Sequence, residues 1–392
     1  MFNVQIKPSP RTPASRPWVK IALLALGTFT VGTDAFIVAS ILPGMAKTLD
    51  VTPTVAGQAV TVFAITYAIA APVLAALTGA YSRRRVLIAA LLTLATANLA
   101  AATAHDLGTL LASRALAALG AAVYTPTAGA LAASLYAPRY RGRALSVVIG
   151  GLTLATALGV PLGGLLAHWL NWRAALAVIS LLALLVAATH LHTLAGQPNN
   201  TAPAKLGERL TALRTPGVTS TLVLTVTGMA ASYTLYPYSL PLLHDLGIPA
   251  YLANPMLFLY GAGALVGNLF CGHATDRWGP ARVLAAAYLA MCMAFGLMIA
   301  CLWMQTAQLT LTAIAVTLWG ASTWSQTPPQ QHRLIALSPD TGHLLIALNA
   351  SAIYLGIGIG AVLGGLAIHA GAPAVLLTGL SLALYAWLQT HR

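Results

Sequence analysis

The sequence is poor in charge, and acidic residues are the scarcest. Only 7% of its 392 residues are charged, and seven are Asp or Glu, whereas soluble domains carry about 25% charged residues. Hydrophobic residues make up 58% of the chain, and the mean hydropathy is +0.80. No water-soluble fold could bury this much apolar surface. Soluble enzymes and soluble binding domains are therefore excluded.

The sequence also lacks the motifs of a chemical or metal site. Its three cysteines, Cys271, Cys292 and Cys301, lie in apolar segments without CxxC or CxxH spacing, so neither a disulfide framework nor a metal site is expected. There is no G-x-S-x-G, G-x-x-x-x-G-K-[ST] or H-E-x-x-H motif. We therefore expect no enzyme and no cofactor, and energy drawn from a proton gradient rather than from ATP.

Apolar stretches dominate the rest of the chain. A membrane-spanning helix needs about 20 mostly apolar residues, and the stretches here are Ala/Leu-rich without alternation, which favours helices over a β-barrel. The first stretch exceeds the core of a signal peptide, so we expect it to be retained. The sequence predicts twelve spans, near 18–41, 55–78, 86–104, 108–135, 144–168, 171–192, 218–243, 249–273, 282–303, 307–327, 343–368 and 372–390.

The basic residues predict the topology. With a cytoplasmic N-terminus, 17 of the 20 Lys and Arg residues lie on the cytoplasmic side, so both termini are predicted to be cytoplasmic. The net charge of +13 then reflects orientation and contact with anionic membrane lipids, and no nucleic-acid partner is needed. The predicted units are a disordered tail (1–17), a first helical bundle (18–192), a cytoplasmic linker (193–217) and a second bundle (218–392).

Two phrases occur twice in the chain. GVPLGGLLAH (159–168) returns as GAVLGGLAIH (360–369), and RVLIAALL (85–92) returns as RVLAAAYL (282–289). The offsets, 201 and 197 residues, join corresponding spans of two six-helix halves with the same topology. Parallel halves with a site between them at mid-membrane are typical of transporters.

Four stretches carry a family resemblance: GTDAFIVASILPGMA (32–46), RRRVL (83–87), RALAALGAAVYTPTAGALAA (114–133) and GLTLATALGVPLGG (151–164). In these stretches the chain resembles the major facilitator superfamily, and within it the twelve-helix drug:proton antiporters similar to bacterial sugar and arabinose efflux permeases. The resemblance implies an all-α membrane protein of two pseudo-symmetric six-helix bundles. It also implies a monomer in the bacterial inner membrane.

The phrase in the fifth span resembles the antiporter motif G-P-x-x-G-G, with Val160 ahead of the proline. Its glycines would let helices approach closely, and its proline would bend the helix. We interpret Gly159, Pro161, Gly163 and Gly164 as a surface on which the halves rock, with Gly356, Gly360, Gly364 and Gly365 as the partner surface. Ordinary close packing is the alternative. His168 and His369, which end the two phrases, are interpreted as interfacial caps or as proton relays.

The loop after the second span departs from the family pattern G-x-x-x-D-R-x-G-R-R. The second half keeps it with Asp276, Arg277, Gly279 and Arg282, whereas the first half has Gly79 but no acid. The first half does retain Arg83, Arg84 and Arg85. We predict a weakened cytoplasmic charge lock between the halves; arginines that only enforce topology are the alternative.

Asp34 is the only acidic residue inside an apolar run, where a lone carboxylate is costly and needs a cavity or a partner. At 1.5 Å per helical residue, Asp34 lies about 6 Å and Arg114 about 10 Å outside mid-membrane. We therefore predict that they pair. Burial favours the neutral acid and Arg114 the carboxylate, so water access could switch the proton. A static pair that only fixes helix packing is the alternative.

Side chains that combine an apolar body with a polar atom suit a pocket for partly apolar ligands. The predicted cavity residues are Phe36, Tyr67, Tyr124, Tyr233, Tyr236, Trp319, Trp324, Asn349 and Tyr354; an interfacial belt or ordinary packing is the alternative. The predicted function is proton-coupled export of a small organic solute such as a drug, sugar or metabolite. A proton symporter importing a nutrient and a non-transporting solute receptor are the competing hypotheses.

Overall fold

The structure is a computed structural model that describes residues 17–135, 141–194, 207, 213–304, 308–338 and 342–391. These residues form helices joined by short turns, without a β-strand among them. The predicted tail, apart from Pro17, and most of the predicted linker lie outside the described residues.

Among the described residues, the first half contains eight α-helices and one π-helical turn. The helices are α1 (Pro17–Phe36), α2 (Val38–Thr48), α3 (Pro53–Thr78), α4 (Arg83–Ala102), α5 (Leu107–Ser134), α6 (Arg141–Leu154), α7 (Val160–Trp169) and α8 (Trp172–Thr193), with the π turn at Ala155–Gly159. Side chains at the turns cap several helix starts: Asp106 accepts the N–H of Thr109 at 2.8 Å, and Asn171 accepts that of Ala174 at 2.9 Å.

The second half repeats the succession of spans, but its breaks between helices do not all fall at the equivalent places. Its helices are α9 (Val218–Tyr233), α10 (Ser239–Asp245), α11 (Ala250–Trp278), α12 (Pro280–Trp303), α13 (Leu309–Ser325), α14 (Thr327–Leu337), α15 (Gly342–Ala367) and α16 (Ala372–Gln389). Short 3-10 turns at Tyr236–Tyr238 and Ile368–Ala370 complete it.

Eleven segments of the described chain are long and apolar enough to cross a membrane. They coincide with eleven of the twelve predicted spans. The remaining predicted span, 307–327, forms α13, which has 17 residues and is followed after Gln326 by the polar α14. The fold is therefore that of an integral membrane protein.

Three spans are interrupted, two of them beside a proline. α1 and α2 are separated at Ile37. In the fifth span, the N–H of Val160 bonds the carbonyl of Ala155 across the π turn that precedes Pro161. A proline cannot donate the usual bond and its ring crowds the carbonyl four residues earlier, so a wider turn is accommodated here. Pro237 lies in the 3-10 turn that breaks the seventh span.

The repeated glycine phrase has the same packing role in each half. A Cβ at Gly159 would overlap Thr33 and one at Gly163 would overlap Ile37, so the fifth span packs on the first. A Cβ at Gly360 would meet the backbone of Ala230 and Tyr233, so the eleventh span packs on the seventh. Because glycine has no side chain, these helix pairs approach closely.

This packing corrects the interpretation of the two glycine sets as facing surfaces. Gly356, Gly360 and Gly364 all pack against the seventh span of their own half. Two glycines of the predicted surfaces do reach the other half: a Cβ at Gly164 would overlap Asn254 of α11, and Gly365 contacts Thr54 of α3. The glycine seams that repeat are internal to each half, and the seam between halves is made by other pairs of helices.

Contacts between the halves close the end of the molecule that is predicted to face outward. The hydroxyl of Thr54 on α3 donates to the carbonyl of Gly365 at 3.0 Å and lies 3.3 Å from Nε2 of His369. The tyrosine ring of Tyr238 fills the space above Gly57 of α3. The second span therefore meets the seventh and eleventh spans at this end.

Candidate functional site

A buried ion pair lies in the interior of the first half. Nη1 of Arg114 on α5 is 2.6 Å from Oδ1 of Asp34 on α1, and the two side chains are 1% and 0% exposed. Nη2 of Arg114 also donates to the main-chain carbonyl of Asp34 at 2.9 Å. The structure thus brings together the two charged residues that the depth argument predicts to pair.

The break in the first span lies directly after this pair. Ile37 keeps helical φ and ψ angles and its N–H bonds the carbonyl of Thr33 at 2.9 Å, but the N–H of Ser40 then bonds the carbonyl of Ile37, only three residues earlier. Arg114 therefore binds the last full turn of α1 through both a side chain and a main chain. Two donors from one planar guanidinium fix the orientation of both groups.

The pair is only partly satisfied. Oδ2 of Asp34 and Nε of Arg114 are buried without a hydrogen-bond partner in the described chain. The guanidinium lies 4.7 Å from the ring centroid of Phe63, close enough for a cation–π interaction. One carboxylate oxygen is thus left free to accept a proton or a donor group.

Aromatic rings from both halves surround the pair. The rings of Tyr67 and Tyr354 stack with centroids 3.6 Å apart, and Phe63 is 6.2 Å from Tyr354. Tyr67 and Phe63 lie on α3 and Tyr354 on α15. The ion pair is therefore next to the seam between the halves.

A second group of six rings, which we name the aromatic cluster, continues from Phe36. Phe36 lies two residues after Asp34, and its ring centroid is 5.7 Å from Trp324 and 6.2 Å from Tyr233. Within the second half, Tyr236 is 4.9 Å from Tyr260, which is 4.6 Å from Trp319. The aromatic cluster therefore consists of Phe36, Tyr233, Tyr236, Tyr260, Trp319 and Trp324.

Several polar atoms inside the aromatic cluster lack a well-formed hydrogen bond. The hydroxyls of Tyr233, Tyr236 and Tyr260 and Nε1 of Trp324 are buried and make no well-formed hydrogen bond to the described residues. Nε1 of Trp319, in contrast, donates to Ser232 at 2.8 Å. Each unpaired buried group costs about 1–3 kcal/mol. Four such groups in one place can bind a solute that offers hydrogen-bonding atoms.

Two predicted cavity residues, Tyr124 and Asn349, lie outside both the aromatic cluster and the stacked pair of Tyr67 and Tyr354. The hydroxyl of Tyr124 is 2.9 Å from Nε2 of His190 on α8 and donates to the carbonyl of Leu24 at 3.3 Å. The ring of Tyr124 lies over Gly27 inside the first half. Asn349 accepts from Thr225 at 2.9 Å. The bonds of Tyr124 join helices within the first half, and the bond of Asn349 joins helices within the second half.

Two loop arginines of the first half bind acceptors in that same half. Nη1 of Arg83 donates to the carbonyl of Ala130 at 3.1 Å and to Ser134 at 3.0 Å, and Arg84 donates to the carbonyl of Leu191. These acceptors lie near the C-terminal ends of α5 and α8, where cations are favoured. Arg83 and Arg84 therefore hold three helix ends together.

The loop residues of the second half are on the surface. Asp276, Arg277 and Arg282 are exposed. In the part of the chain that the structure describes, the ion pairs are Arg114–Asp34 and His244–Asp245. The predicted charge lock between the halves has no ion pair among these residues.

Sequence reasoning missed Tyr260 and Phe63. Tyr260 lies at the centre of the aromatic cluster, and Phe63 lies under the Arg114 guanidinium. They are 197 residues apart, which is the offset of the repeated RVL phrases. Aligning the two halves at this offset places Phe63 opposite Tyr260, so the repeat itself indicates an aromatic ring at equivalent positions of the second and eighth spans.

Two similar helical halves in a membrane, with a buried polar pair and unpaired aromatic donors beside their seam, define a membrane transporter. The family comparison agrees, because the sequence model of the Major Facilitator Superfamily matches residues 24–361. The chain belongs to the Major Facilitator Superfamily, whose members are transporters and not enzymes.

Individual relatives extend the comparison over nearly the whole chain. An uncharacterized MFS-type transporter of Bacillus subtilis, YbcL, is 31% identical over 374 residues, which is 95% of this chain and 92% of the relative. A chloramphenicol resistance protein of Streptomyces lividans is 34% identical over 269 residues, 68% of each chain. The crystal structure of the human organic anion transporter MFSD10 (TETRAN) shares the fold, with a TM-score of 0.71, 18% identity, and coverage of 97% of this chain and 100% of that one.

Proposed function

We propose that this protein is a proton-coupled secondary transporter that exports a small organic solute across the bacterial cytoplasmic membrane by alternating access. The chloramphenicol resistance protein among its relatives supports export of a partly apolar compound. The antiporter-like phrase around Pro161 supports exchange for protons. We further propose that the protein acts as a monomer.

The observation that carries the proposal is the partly satisfied pair of Asp34 and Arg114. A fully buried carboxylate is tolerated only with a partner, and here one oxygen is bound by Arg114 while the other is open. Protonation at Oδ2 would remove the negative charge and weaken the bond to Nη1. Arg114 would keep its bond to the main-chain carbonyl of Asp34, so the guanidinium stays in place as the proton comes and goes.

The aromatic cluster supports the substrate part of the proposal. Its rings offer an apolar surface, and its unpaired hydroxyls and indole N–H offer hydrogen bonds to a solute. Because Phe36 belongs to the aromatic cluster and lies two residues from Asp34, a bound solute would lie against the same turn of α1 that carries the proton. Solute binding at Phe36 and protonation of Asp34 would thus act on the same turn of α1, so each would disfavour the other.

The closed outer end supports a sequence of states. With Thr54, Gly365 and His369 in contact, solute would enter from the cytoplasmic side. The halves would then rock so that these contacts part and the site opens outward. A proton loaded on Asp34 from outside would favour solute release and the return to the inward state.

The decisive experiment is transport in inverted membrane vesicles energised by a proton gradient, with a compound panel that includes chloramphenicol. We expect uptake of at least one compound that collapses with a proton uncoupler. Asp34→Asn should abolish gradient-driven uptake while binding of the compound persists, and Asp245→Asn, at an exposed acid, should retain uptake. Undiminished gradient-driven uptake by Asp34→Asn would refute the assignment of the proton site.

The direction of flux separates export from import. Gradient-driven accumulation in inverted vesicles supports export, whereas accumulation only in right-side-out vesicles would establish a symporter that imports a nutrient. Binding without flux in either orientation would indicate a solute receptor.

A further inference from the structure

A groove on the surface of the first half lies away from the ion pair and the aromatic cluster. It has a volume of about 440 Å³ and is formed by α3, α4 and α5. Its rim includes Leu116 and Leu119, which are exposed and therefore face lipid. The groove is thus open to the hydrocarbon of the bilayer.

Small residues form the floor of the groove. Ala89 and Ala90 of α4 and Gly120 of α5 line it, and a Cβ at Gly120 would overlap the carbonyl of Ala90. The helices therefore touch along a line without side chains, and larger residues on either side rise above it. This shape fits a flexible hydrocarbon chain better than a flat ring system.

The polar residues of the groove are concentrated at one end. Tyr81 and Arg85 line it at the beginning of α4, and Thr78 lies near them at the end of α3. The deeper lining of α4 and α5 is apolar apart from Thr93. A molecule that fills the groove must therefore be polar at one end and apolar along its length.

The length of the groove matches one leaflet. Arg85, Ala89 and Thr93 lie on successive turns of one face of α4, a distance of about 12 Å at 1.5 Å per residue. Half of the hydrocarbon core is about 15 Å thick. The groove therefore runs from the headgroup region towards mid-membrane, in the leaflet that the basic residues predict to be cytoplasmic.

Arg85 is the charged residue in this lining. It is exposed and makes no hydrogen bond or ion pair with the described residues, whereas its neighbours Arg83 and Arg84 bind helix ends. No acid lines the groove, so a cationic choline group would find no partner there. The unneutralised guanidinium favours a phosphate-containing anion.

We propose that this groove binds an anionic phospholipid of the cytoplasmic leaflet. One acyl chain lies along Ala89, Ala90 and Gly120, and the headgroup phosphate binds Arg85 and the hydroxyl of Tyr81. The bound lipid would attach the loop after the second span to the cytoplasmic leaflet through Tyr81 and Arg85. The site is independent of the solute site, because it is lined by α3, α4 and α5 on the lipid-facing surface.

Native mass spectrometry of the purified full-length protein tests the proposal, with phosphatidylglycerol and phosphatidylcholine of identical acyl chains as probes. We expect tighter binding of phosphatidylglycerol. Arg85→Gln should weaken it about fivefold, the effect of one basic residue near a membrane surface. Arg282→Gln, which removes the same charge at the repeat-equivalent position of the second half, should leave it unchanged.

A second variant and a labelled lipid locate the site. Ala89→Phe, which fills the groove, should lower retention of phosphatidylglycerol without changing Arg85. A phosphatidylglycerol with a photoreactive acyl chain should label residues 85–93 and 116–123. Equal binding of the two lipids would overturn the proposal, as would equal losses in Arg85→Gln and Arg282→Gln, or labelling confined to other helices.

Discussion

Arg114 holds Asp34 at two points, 2.6 Å from its side-chain oxygen and 2.9 Å from its main-chain oxygen. The arrangement joins α5 to the last turn of α1. A charge change on the carboxylate therefore alters only one of the two bonds, and the helices remain connected in both protonation states.

We expect Arg114→Gln to destabilise the protein by about 3–5 kcal/mol, because it leaves a buried carboxylate without its partner. The double variant Asp34→Asn/Arg114→Gln should recover most of this loss, since no unpaired charge remains. Thermal unfolding of the four proteins in detergent measures the coupling between the two sites. A single Arg114→Gln variant as stable as the wild type would contradict the structural account of the pair.

Gly360→Ala should destabilise the second half by about 1–3 kcal/mol through overpacking. The new methyl group would meet the backbone of Ala230 and Tyr233. Gly296→Ala is the matched control, because a Cβ there meets nothing within 4 Å. It should be neutral or stabilising by about 0.5–1 kcal/mol. Similar melting temperatures for the two variants would show that the glycine seam is not tight.

Removing an unpaired hydroxyl should affect binding more than folding. Tyr260→Phe deletes a buried hydroxyl that has no well-formed bond, so stability should be unchanged or slightly higher while the KM for a transported solute rises about fivefold or more. Tyr288→Phe deletes a hydroxyl that bonds Gln326 at 3.2 Å. That variant should lose about 1 kcal/mol of stability and keep its KM. The reverse pattern would place the solute elsewhere.

Holding the outer end closed should stop transport. A short thiol cross-linker between Thr54→Cys and His369→Cys, whose native side chains approach to 3.3 Å, would tie the two halves together. The single variants Thr54→Cys and His369→Cys, treated with the same cross-linker, are the controls and should retain flux. Flux that survives complete cross-linking of the pair would rule out rocking at this seam.

Asp106 provides a pH-dependent contribution outside the membrane. The main-chain N–H and hydroxyl of Thr109 bind its carboxylate and lower its pKa below the ordinary value. The Asp106 carboxylate therefore contributes fully to the free energy of unfolding when the pH is above the ordinary pKa of about 4. This contribution is lost as the pH falls through the lowered pKa. Asp106→Ala should melt earlier than the wild type at pH 7, with Asp106→Asn in between, and the differences should shrink at strongly acidic pH. A constant difference at all pH values would contradict this.

Simple distances along the chain predict much of the architecture. Apolar length locates the spans to within a few residues, and helical rise alone brings Asp34 and Arg114 to similar depth. Both arguments work because a helix in a membrane has a fixed rise and a fixed thickness to cross. The identity of the pair then follows from the scarcity of acids within apolar runs.

Distances along the chain do not predict how each helix is rotated about its own axis, and therefore which neighbour each residue faces. The sequence predicts that Gly159 and Gly360 face the opposite half, yet each faces the first span of its own half. The sequence predicts Tyr124 in the cavity, but its ring packs on His190 and Gly27 inside the first half. In an apolar span every face is hydrophobic, so no amphipathic pattern distinguishes a neighbour in the same half from one across the seam.

The side chain of Thr33 fills the space that Gly159 leaves open, so the first and fifth spans are packed tightly against each other beside the proton site. Asp34, the proposed proton site, is one residue from this contact. Gly164, farther along the fifth span, packs against Asn254 of the opposite half. A sub-ångström displacement at the carboxylate would therefore reappear at the outer rim, carried by a threonine and an asparagine that each pack directly on a glycine.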